Sequence, residues 1–315
     1  MSTKKTITIL VPAYNEEPVF EQLYKRLNAL ANSVRTHDFC FLFVNDGSSD
    51  GTLKCIKEKA QKDDRVAFVS LSRNFGKEIA MIAGLDHFES DALVIVDADL
   101  QDPPELIPEM ISYWEQGYDD VYAKRTSRAG ESWLKKTTSK LFYRVLQRST
   151  RIPVQRDVGD FRLLDKRAVE ALKQLRESQR YTKGMLSWIG FNKKEITYNR
   201  DPRAAGKTKW NYYNLINLAI EGITSFTTAP LRWSTILGFI VSVIAFLYIV
   251  IILIRTSLYG SDVAGYPSMM AVILFLGGAQ LMSLGIIGEY IGRIFNETKG
   301  RPLYFVEEYR RARKK

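Results

Sequence analysis

Residues 92–106 read ALVIVDADLQDPPEL. The apolar run at 92–96 suits a strand buried on both faces, yet it leads straight into Asp97, Asp99 and Asp102. Buried strands with polar carboxyl ends belong to parallel α/β sheets, in which ligands gather beyond those ends. Three earlier stretches repeat the pattern. Residues 6–11 (TITILV) close in Pro12, Ala13, Tyr14, Asn15 and Glu16, and then Val19, Phe20, Leu23, Leu27 and Leu30 recur at helical spacing. Residues 39–44 (FCFLFV) close in NDGSSDGT, and residues 66–71 (VAFVSL) are followed by RNFGKEIAMIAGLDHF after Ser72. Strands alternating with helices imply crossover units and a mostly parallel sheet.

At 315 residues, 46% of them apolar, the chain can bury a sizeable core, which excludes disorder. A net charge of +10 points to an anionic partner: nucleic acid, a membrane surface or a phosphorylated substrate. Cys40 and Cys55 are the only cysteines and form no CxxC pair, so a reducing compartment is the simpler expectation. His37 and His87, the only histidines, lack metal-ligand spacing, so any divalent metal must be held by oxygen. The apolar stretch behind Lys4 and Lys5 stops at Pro12, too short for a signal peptide.

Two later segments suit lipid. Residues 231–254 are interrupted only by Arg232, and residues 268–288 carry no formal charge. At about 1.5 Å per residue each reaches the ~30 Å of a bilayer core. Transmembrane helices are therefore expected at about 231–254 and 268–290, with Trp233, Tyr248, Tyr259, Tyr266 and Tyr290 near their borders. The connecting RTSLYGSDVAGYPS is nearly neutral, while the tail at 295–315 is basic, so the positive-inside rule puts that tail and the domain at 1–230 in the cytoplasm. Residues 131–151 and 210–228 read as amphipathic helices for a membrane interface; for the first, packing on the sheet with a solvated basic face reads equally well. With the basic residues gathered there and in the tail, an anionic membrane accounts for the charge and nucleic acid drops out. Glu289 and Arg293 read as an ion pair, and Gly288 with Gly292 as a small-xxx-small step for packing within the hairpin or in an oligomer.

Asp102 precedes Pro103 and Pro104, with Glu105 three positions on, and reads as a helix N-cap with a capping-box acid. Asp97 and Asp99 have no such role. At i, i+2 on an extended backbone they project to one side and repel unless one is protonated or a cation lies between them. Mg²⁺ or Mn²⁺ on Asp97 and Asp99, bridging to substrate phosphates, is the economical answer and makes this strand end a seat for a nucleotide diphosphate. Tyr14 can lie against a base while Glu16 accepts its hydrogen bonds. Asp46 can take a uracil imide or a ribose hydroxyl, although NDGSSDG is equally turn chemistry. No GxGxxG occurs, and AGKT at Ala205 has Asp201 where a P-loop needs glycine, which counts against NAD and ATP hydrolysis.

Taken together, VPAYNEE, VNDGSSDGT, LSRNFGKE, DADLQDPPE, GDFRLLD, RAAGKTKW and GEYIGR resemble the membrane-anchored family-2 glycosyltransferases that load a sugar onto a polyprenyl phosphate. The series is most similar to the bacterial bactoprenol glucosyltransferases, with dolichyl-phosphate mannose synthases further off. The resemblance spans almost the whole chain. It implies a GT-A, Rossmann-like α/β fold with interfacial helices and a C-terminal two-helix membrane hairpin, a nucleotide-sugar donor, an Asp-x-Asp metal site and inversion at the anomeric carbon. Carried over by position, it implies that Pro12, Tyr14, Glu16 and Asp46 line the nucleoside pocket. Asp97, Ala98, Asp99 and Gln101 would form the metal and diphosphate site, and Asp160, with Asp99, the catalytic pair in which Asp160 is the base. Arg203 and Lys209 would lie on a loop closing over the phosphates, and Arg125 with Arg128 would approach the acceptor phosphate. A processive polysaccharide synthase carries Gln-x-x-Arg-Trp; here Ala229 stands where that Gln would precede Arg232 and Trp233, which counts against polymer synthesis.

The expected activity is transfer of glucose from UDP-glucose to undecaprenyl or another polyprenyl phosphate, on the cytoplasmic face of a bacterial inner membrane, by a multi-pass chain with both termini cytoplasmic. A lipid phosphate is already anionic near neutral pH, its second pKa lying near ~6. Proton removal is then a small part of the work, and Asp160 is expected to orient the acceptor or take a residual proton. The alternatives are another donor (UDP-GlcNAc, UDP-Gal or GDP-mannose), a metal-dependent membrane-bound nucleotide-sugar hydrolase, and a catalytically silent adaptor. A homo-oligomer is compatible with the resemblance.

Overall fold

The computed structural model describes residues 4–125, 158–178, 180, 182–198, 229–259 and 265–313. It divides into two units, Met1–Leu215 with Pro302–Lys315, and Ile216–Arg301. The amphipathic segments expected at 131–151 and 210–228, and Arg128, Arg203 and Lys209, lie outside the described residues.

In the first unit the four expected strands form as β1 (Thr6–Ala13), β2 (Asp38–Asn45), β3 (Val66–Leu71) and β4 (Ala92–Ile95). They are mutually parallel in the order β3-β2-β1-β4. The crossovers are α1 (Glu17–Ser33), α2 (Thr52–Lys62) and α3 (Lys77–Asp86). The buried residues of α1 are Val19, Phe20, Leu23, Leu27 and Leu30, the stripe read from the sequence. They share one core with Ile7, Ile9 and Val11 of β1. On the opposite face α3 comes so close that a Cβ on Gly84 would stand 2.2 Å from Leu10 Cδ1, so a glycine permits this helix to touch the sheet.

Strand order reverses at β1, with β2 on one side and β4 on the other. Such a switch point opens a crevice beyond the carboxyl ends of the two strands, here Ala13 and Ile95.

After β4 come α4 (Ile107–Glu115), β5 (Asp120–Arg125), β6 (Val158–Asp165), α5 (Lys166–Gln174), α6 (Thr182–Trp188) and β7 (Lys193–Tyr198). β6 inserts antiparallel between β4 and β5, with Ile95 opposite Arg162, and β7 runs parallel to β5 at the edge. Continued two residues past Ile95, that antiparallel register sets Asp160 opposite Asp97. Arg162 and Asp120 are both fully buried, and Arg162 Nη1 lies 3.0 and 3.2 Å from the two Asp120 oxygens. Burial pushes the Asp120 carboxyl up and Arg162 opposes it. The pair ties β6 to β5 and so holds the strand that carries Asp160.

At the other edge β8 (Val306–Arg310) pairs antiparallel with β3. The segment read from sequence as a basic tail thus includes a sheet strand, anchored by Ser72 N–H donating to the Phe305 carbonyl (3.0 Å) and Tyr304 O–H to Asp86 (2.8 Å).

The second unit contains α7 (Ala229–Tyr259, 31 residues) and α8 (Tyr266–Thr298, 33 residues). They meet where Ser234 donates to Ser283 Oγ at 2.8 Å. Glu289 and Arg293 pair at 3.0 Å, as expected for i, i+4. Among the described residues, a Cβ on Gly288 or Gly292 would meet nothing within 4 Å. Among the described residues no helix is long and apolar enough to cross a membrane.

Replacing Arg162 with Met would leave Asp120 charged and alone in the core. We expect a loss of about 3–5 kcal/mol, read as a lowered unfolding midpoint of the purified chain. The paired change Arg162→Met with Asp120→Leu should recover most of it.

Candidate active site

The loops at the switch point are laced together by their own polar side chains. Asn15, in the left-handed region at φ 55°, accepts Ser49 N–H at 2.8 Å and donates its own N–H to Ser48 Oγ at 3.1 Å. Glu16 N–H reaches Thr52 Oγ1 at 2.9 Å, and Glu17 accepts Gly51 N–H at 2.8 Å. Pro12 and Ala13 are buried in β1, whereas Tyr14 stands 47% exposed at the rim.

Asp46 is buried at 3% exposure and reaches away from its own turn. Its two oxygens accept Phe75 N–H (2.7 Å) and Gly76 N–H (2.9 Å), clamping the loop from β3 to α3. Burial pushes its carboxyl up, and those two N–H groups oppose the shift. The turn chemistry of NDGSSDG falls instead to Asn45 and Asp50, which accept Ser48 N–H and Thr52 N–H. Gly47, at φ 63°, lets the two loops touch, since a Cβ there would stand 2.3 Å from the Arg73 carbonyl carbon.

The DADLQD segment differs from its extended reading. β4 ends at Ile95, and the chain turns through Ala98 and Asp99 to Leu100. Leu100 takes φ 61° with its side chain buried in the core. A left-handed leucine is strained by about 1–3 kcal/mol, and burial of its side chain helps hold it there. Asp99 accepts Gln101 N–H at 3.2 Å. Asp97 and Asp99 therefore do not project together from a strand. Asp102 is corrected as well: the turn at Pro104–Leu106 has Pro103 at its N-cap and no side-chain cap bond, while buried Asp102 accepts Tyr198 O–H at 2.6 Å. Its neighbour Glu105 pairs with Arg26 at 2.7 Å.

The cation beside Asp97 comes from the protein. Lys77 Nζ lies 2.5 Å from Asp97 Oδ1 and 2.5 Å from Asp160 Oδ2. Sequence reasoning quoted Lys77 within LSRNFGKE without assigning it; a lysine opening a helix against the dipole was the available signal. Burial works against the charge on Lys77, but Asp97 and Asp160 outweigh it and hold the ammonium pKa above its ordinary value. Burial likewise opposes the charge on Asp160, and Lys77, then Lys183, outweigh it and hold that carboxyl below the usual range. Lys183 itself is pushed down by burial, with Asp160 opposing. Glu78, which follows Lys77, accepts Thr182 N–H at 3.2 Å and the Thr182 hydroxyl, tying α3 to α6. Arg125 lies beside Asp160's neighbour, its Nη2 being 3.3 Å from where a Gly159 Cβ would stand.

Among the described residues no three His, Cys, Asp or Glu side chains cluster closely enough to enclose a metal. Asp160 Oδ1 is buried without a hydrogen-bond partner, whereas Asp97 Oδ1 holds the Lys77 ammonium at 2.5 Å. A hard divalent ion that keeps its waters and takes substrate phosphate oxygens needs only one or two carboxylates, and Asp97 and Asp99 supply oxygen donors of that kind.

Residues 8–173 match the family model described as glycosyl transferase family 2. The chain belongs to that family. Its parallel core and crevice form the GT-A arrangement, and its activity is that of a glycosyltransferase. Residues 229–294 match a second model, the GtrB C-terminal hairpin. An uncharacterized glycosyltransferase of Synechocystis is 47% identical over 96% of this chain and 95% of its own. A bactoprenol glucosyl transferase of Shigella phage SfX is 44% identical over 96% and 98%. A prophage bactoprenol glucosyl transferase homolog of Escherichia coli K12 is 42% identical over 97% and 99%.

Asp46→Asn would set an amide NH₂ against one of the two loop N–H groups. Hydrogen exchange at the Phe75 and Gly76 amides should quicken by at least about tenfold, with about 1–3 kcal/mol lost from local stability. Unchanged exchange would show that Asp46 is not the clamp.

Proposed function

We propose that this glycosyltransferase moves a hexosyl group, glucose from UDP-glucose, to a polyprenyl phosphate at a membrane surface, with inversion. The observation that carries the reading is the convergence of Asp97 and Asp160 on the Lys77 ammonium beyond the end of β4, in a chain that also bears a long apolar hairpin. The names of the Shigella phage and Escherichia coli relatives support bactoprenol as the lipid and glucose as the sugar.

In this reading Tyr14, Glu16 and Asp46 take the nucleoside, and Asp97, Ala98, Asp99 and Gln101 face the diphosphate. Mg²⁺ or Mn²⁺ on Asp97 and Asp99 would offset the charge that develops on the leaving diphosphate. The acceptor phosphate oxygen forms the new bond to the anomeric carbon while the bond to the nucleoside diphosphate breaks, its electron pair leaving with UDP. Asp160 is a weak proton acceptor, because its carboxyl is held below the ordinary range. An acceptor that is already anionic asks little of a base, so Asp160 orients it, with Arg125 on its approach path.

The hairpin supports a lipid acceptor. Residues 236–254 and 268–288 carry no formal charge. Large apolar side chains, among them Ile236, Phe239 (70% exposed), Ile240, Ile244 and Phe246, face outward around most of α7. Water-soluble surfaces rarely expose a contiguous apolar patch above a few hundred Å², and a helix apolar on nearly every side belongs in lipid or in a large core. The uncharged run also includes Ile249, Ile252 and Leu253, whose side chains lie outside the described residues. We therefore read 231–254 and 268–290 as two membrane crossings, with residues 1–230 and the segment after the hairpin on the cytoplasmic side.

The test is transfer of labelled sugar from a panel of UDP- and GDP-sugars to undecaprenyl phosphate. One donor should move label into the organic phase, and Asp97→Asn should reduce this by about 10²–10³-fold. Hydrolysis of donor without lipid product would remove the acceptor from the reading. Asp160→Asn should lower turnover far more than donor affinity; equal losses in both would make Asp160 a binding residue.

A further inference from the structure

Lys77 is in the wrong place for a residue that merely stabilises a helix. It opens α3, where the unpaired N–H groups and the macrodipole disfavour a positive charge. Its backbone is set by Asp46, which holds the two preceding N–H groups, and by Gly76 at φ 96°. Its ammonium reaches two carboxylates from different strands, Asp97 with a side chain 18% exposed and Asp160 with one 14% exposed. Its own side chain stays 43% exposed. The Asp97 oxygen that it touches is Oδ1.

We propose that Lys77 is a displaceable internal cation: it occupies Asp97 while the site lacks a divalent ion, and gives up Asp97 but keeps Asp160 when the ion and donor arrive. This rests on the reading of Asp97 as a metal ligand. A divalent ion bound at Asp97 would stand within a few ångströms of the Lys77 ammonium, and the repulsion between the two positive charges makes them compete for that carboxylate. The tether to Asp160 keeps Lys77 in the pocket after displacement, where it acts as a positioning residue for the carboxylate facing the acceptor. The arrangement offsets part of the Asp97 and Asp160 charge in the empty enzyme and ties the release of Lys77 to loading of the site.

The experiment is Mn²⁺ binding by electron paramagnetic resonance on the full chain without nucleotide, for the wild type, Lys77→Met and Lys77→Arg. Removal of the competitor should tighten Mn²⁺ binding by about tenfold, within the usual range for coupled sites, while sugar transfer slows. Lys77→Arg keeps the charge and should bind Mn²⁺ close to the wild type. Equal or weaker binding by Lys77→Met, or no Mn²⁺ binding by any of the three, overturns the proposal. If Lys77→Met fails to fold, amine labelling of the wild type read by mass spectrometry decides: labelling of Lys77 should rise on adding Mn²⁺, and unchanged labelling overturns the proposal. Mn²⁺ binding needs neither sugar donor nor lipid, so a failure here leaves the transfer reading standing. A wild type that transfers no sugar would leave this result interpretable.

Discussion

Two carboxylates withdrawn from water can face one pocket only if a positive charge stands with them or one of them is protonated. In this chain Asp97 and Asp160 meet that condition through Lys77, and much of the surrounding structure bears on that single ammonium. The antiparallel insertion of β6 beside β4, with Ile95 opposite Arg162, brings Asp160 to the end of the strand that leads into Asp97. The buried Arg162–Asp120 pair fixes β6 in that position. Asp46 fixes the loop from which Lys77 projects, and the chain turns through residues 98–100 just after Asp97.

The same arrangement bears on the chemistry. A carboxyl held anionic by a neighbouring ammonium is a poor base and a good fixed charge. That suits a nucleophile that arrives already ionised, and would suit an alcohol acceptor less well.

The polypeptide leaves the sheet unit, forms α7 and α8, and returns to the sheet as β8. Both ends of the hairpin are therefore covalently continuous with the catalytic unit. The returning segment covers the β3 edge, whose unpaired N–H and C=O groups would otherwise be open to association. It also bonds to Ser72, close to the loop that Asp46 clamps.

Much of this was legible in the sequence. The four parallel strands, the buried stripe of α1, the Glu289–Arg293 pair and the polar strand ends follow from periodicity, hydropathy and spacing, which act over a few residues and can be read along the chain. The motif series was enough to name the family. The contacts within the site were not legible. Asp102 has the local signature of an N-cap, but a buried tyrosine hydroxyl 96 positions away claims it. Asp97 and Asp99 suggested a cation from their spacing, but nothing in the spacing signalled that Lys77 lies beside Asp97 or that its second partner is Asp160, 83 positions on from it. Strand register and loop closure bring such groups together, and neither leaves a periodic trace in the sequence. Local sequence determined which elements form and which faces they bury; only the tertiary structure decided which charges meet, because that depends on the pairing of strands distant along the chain.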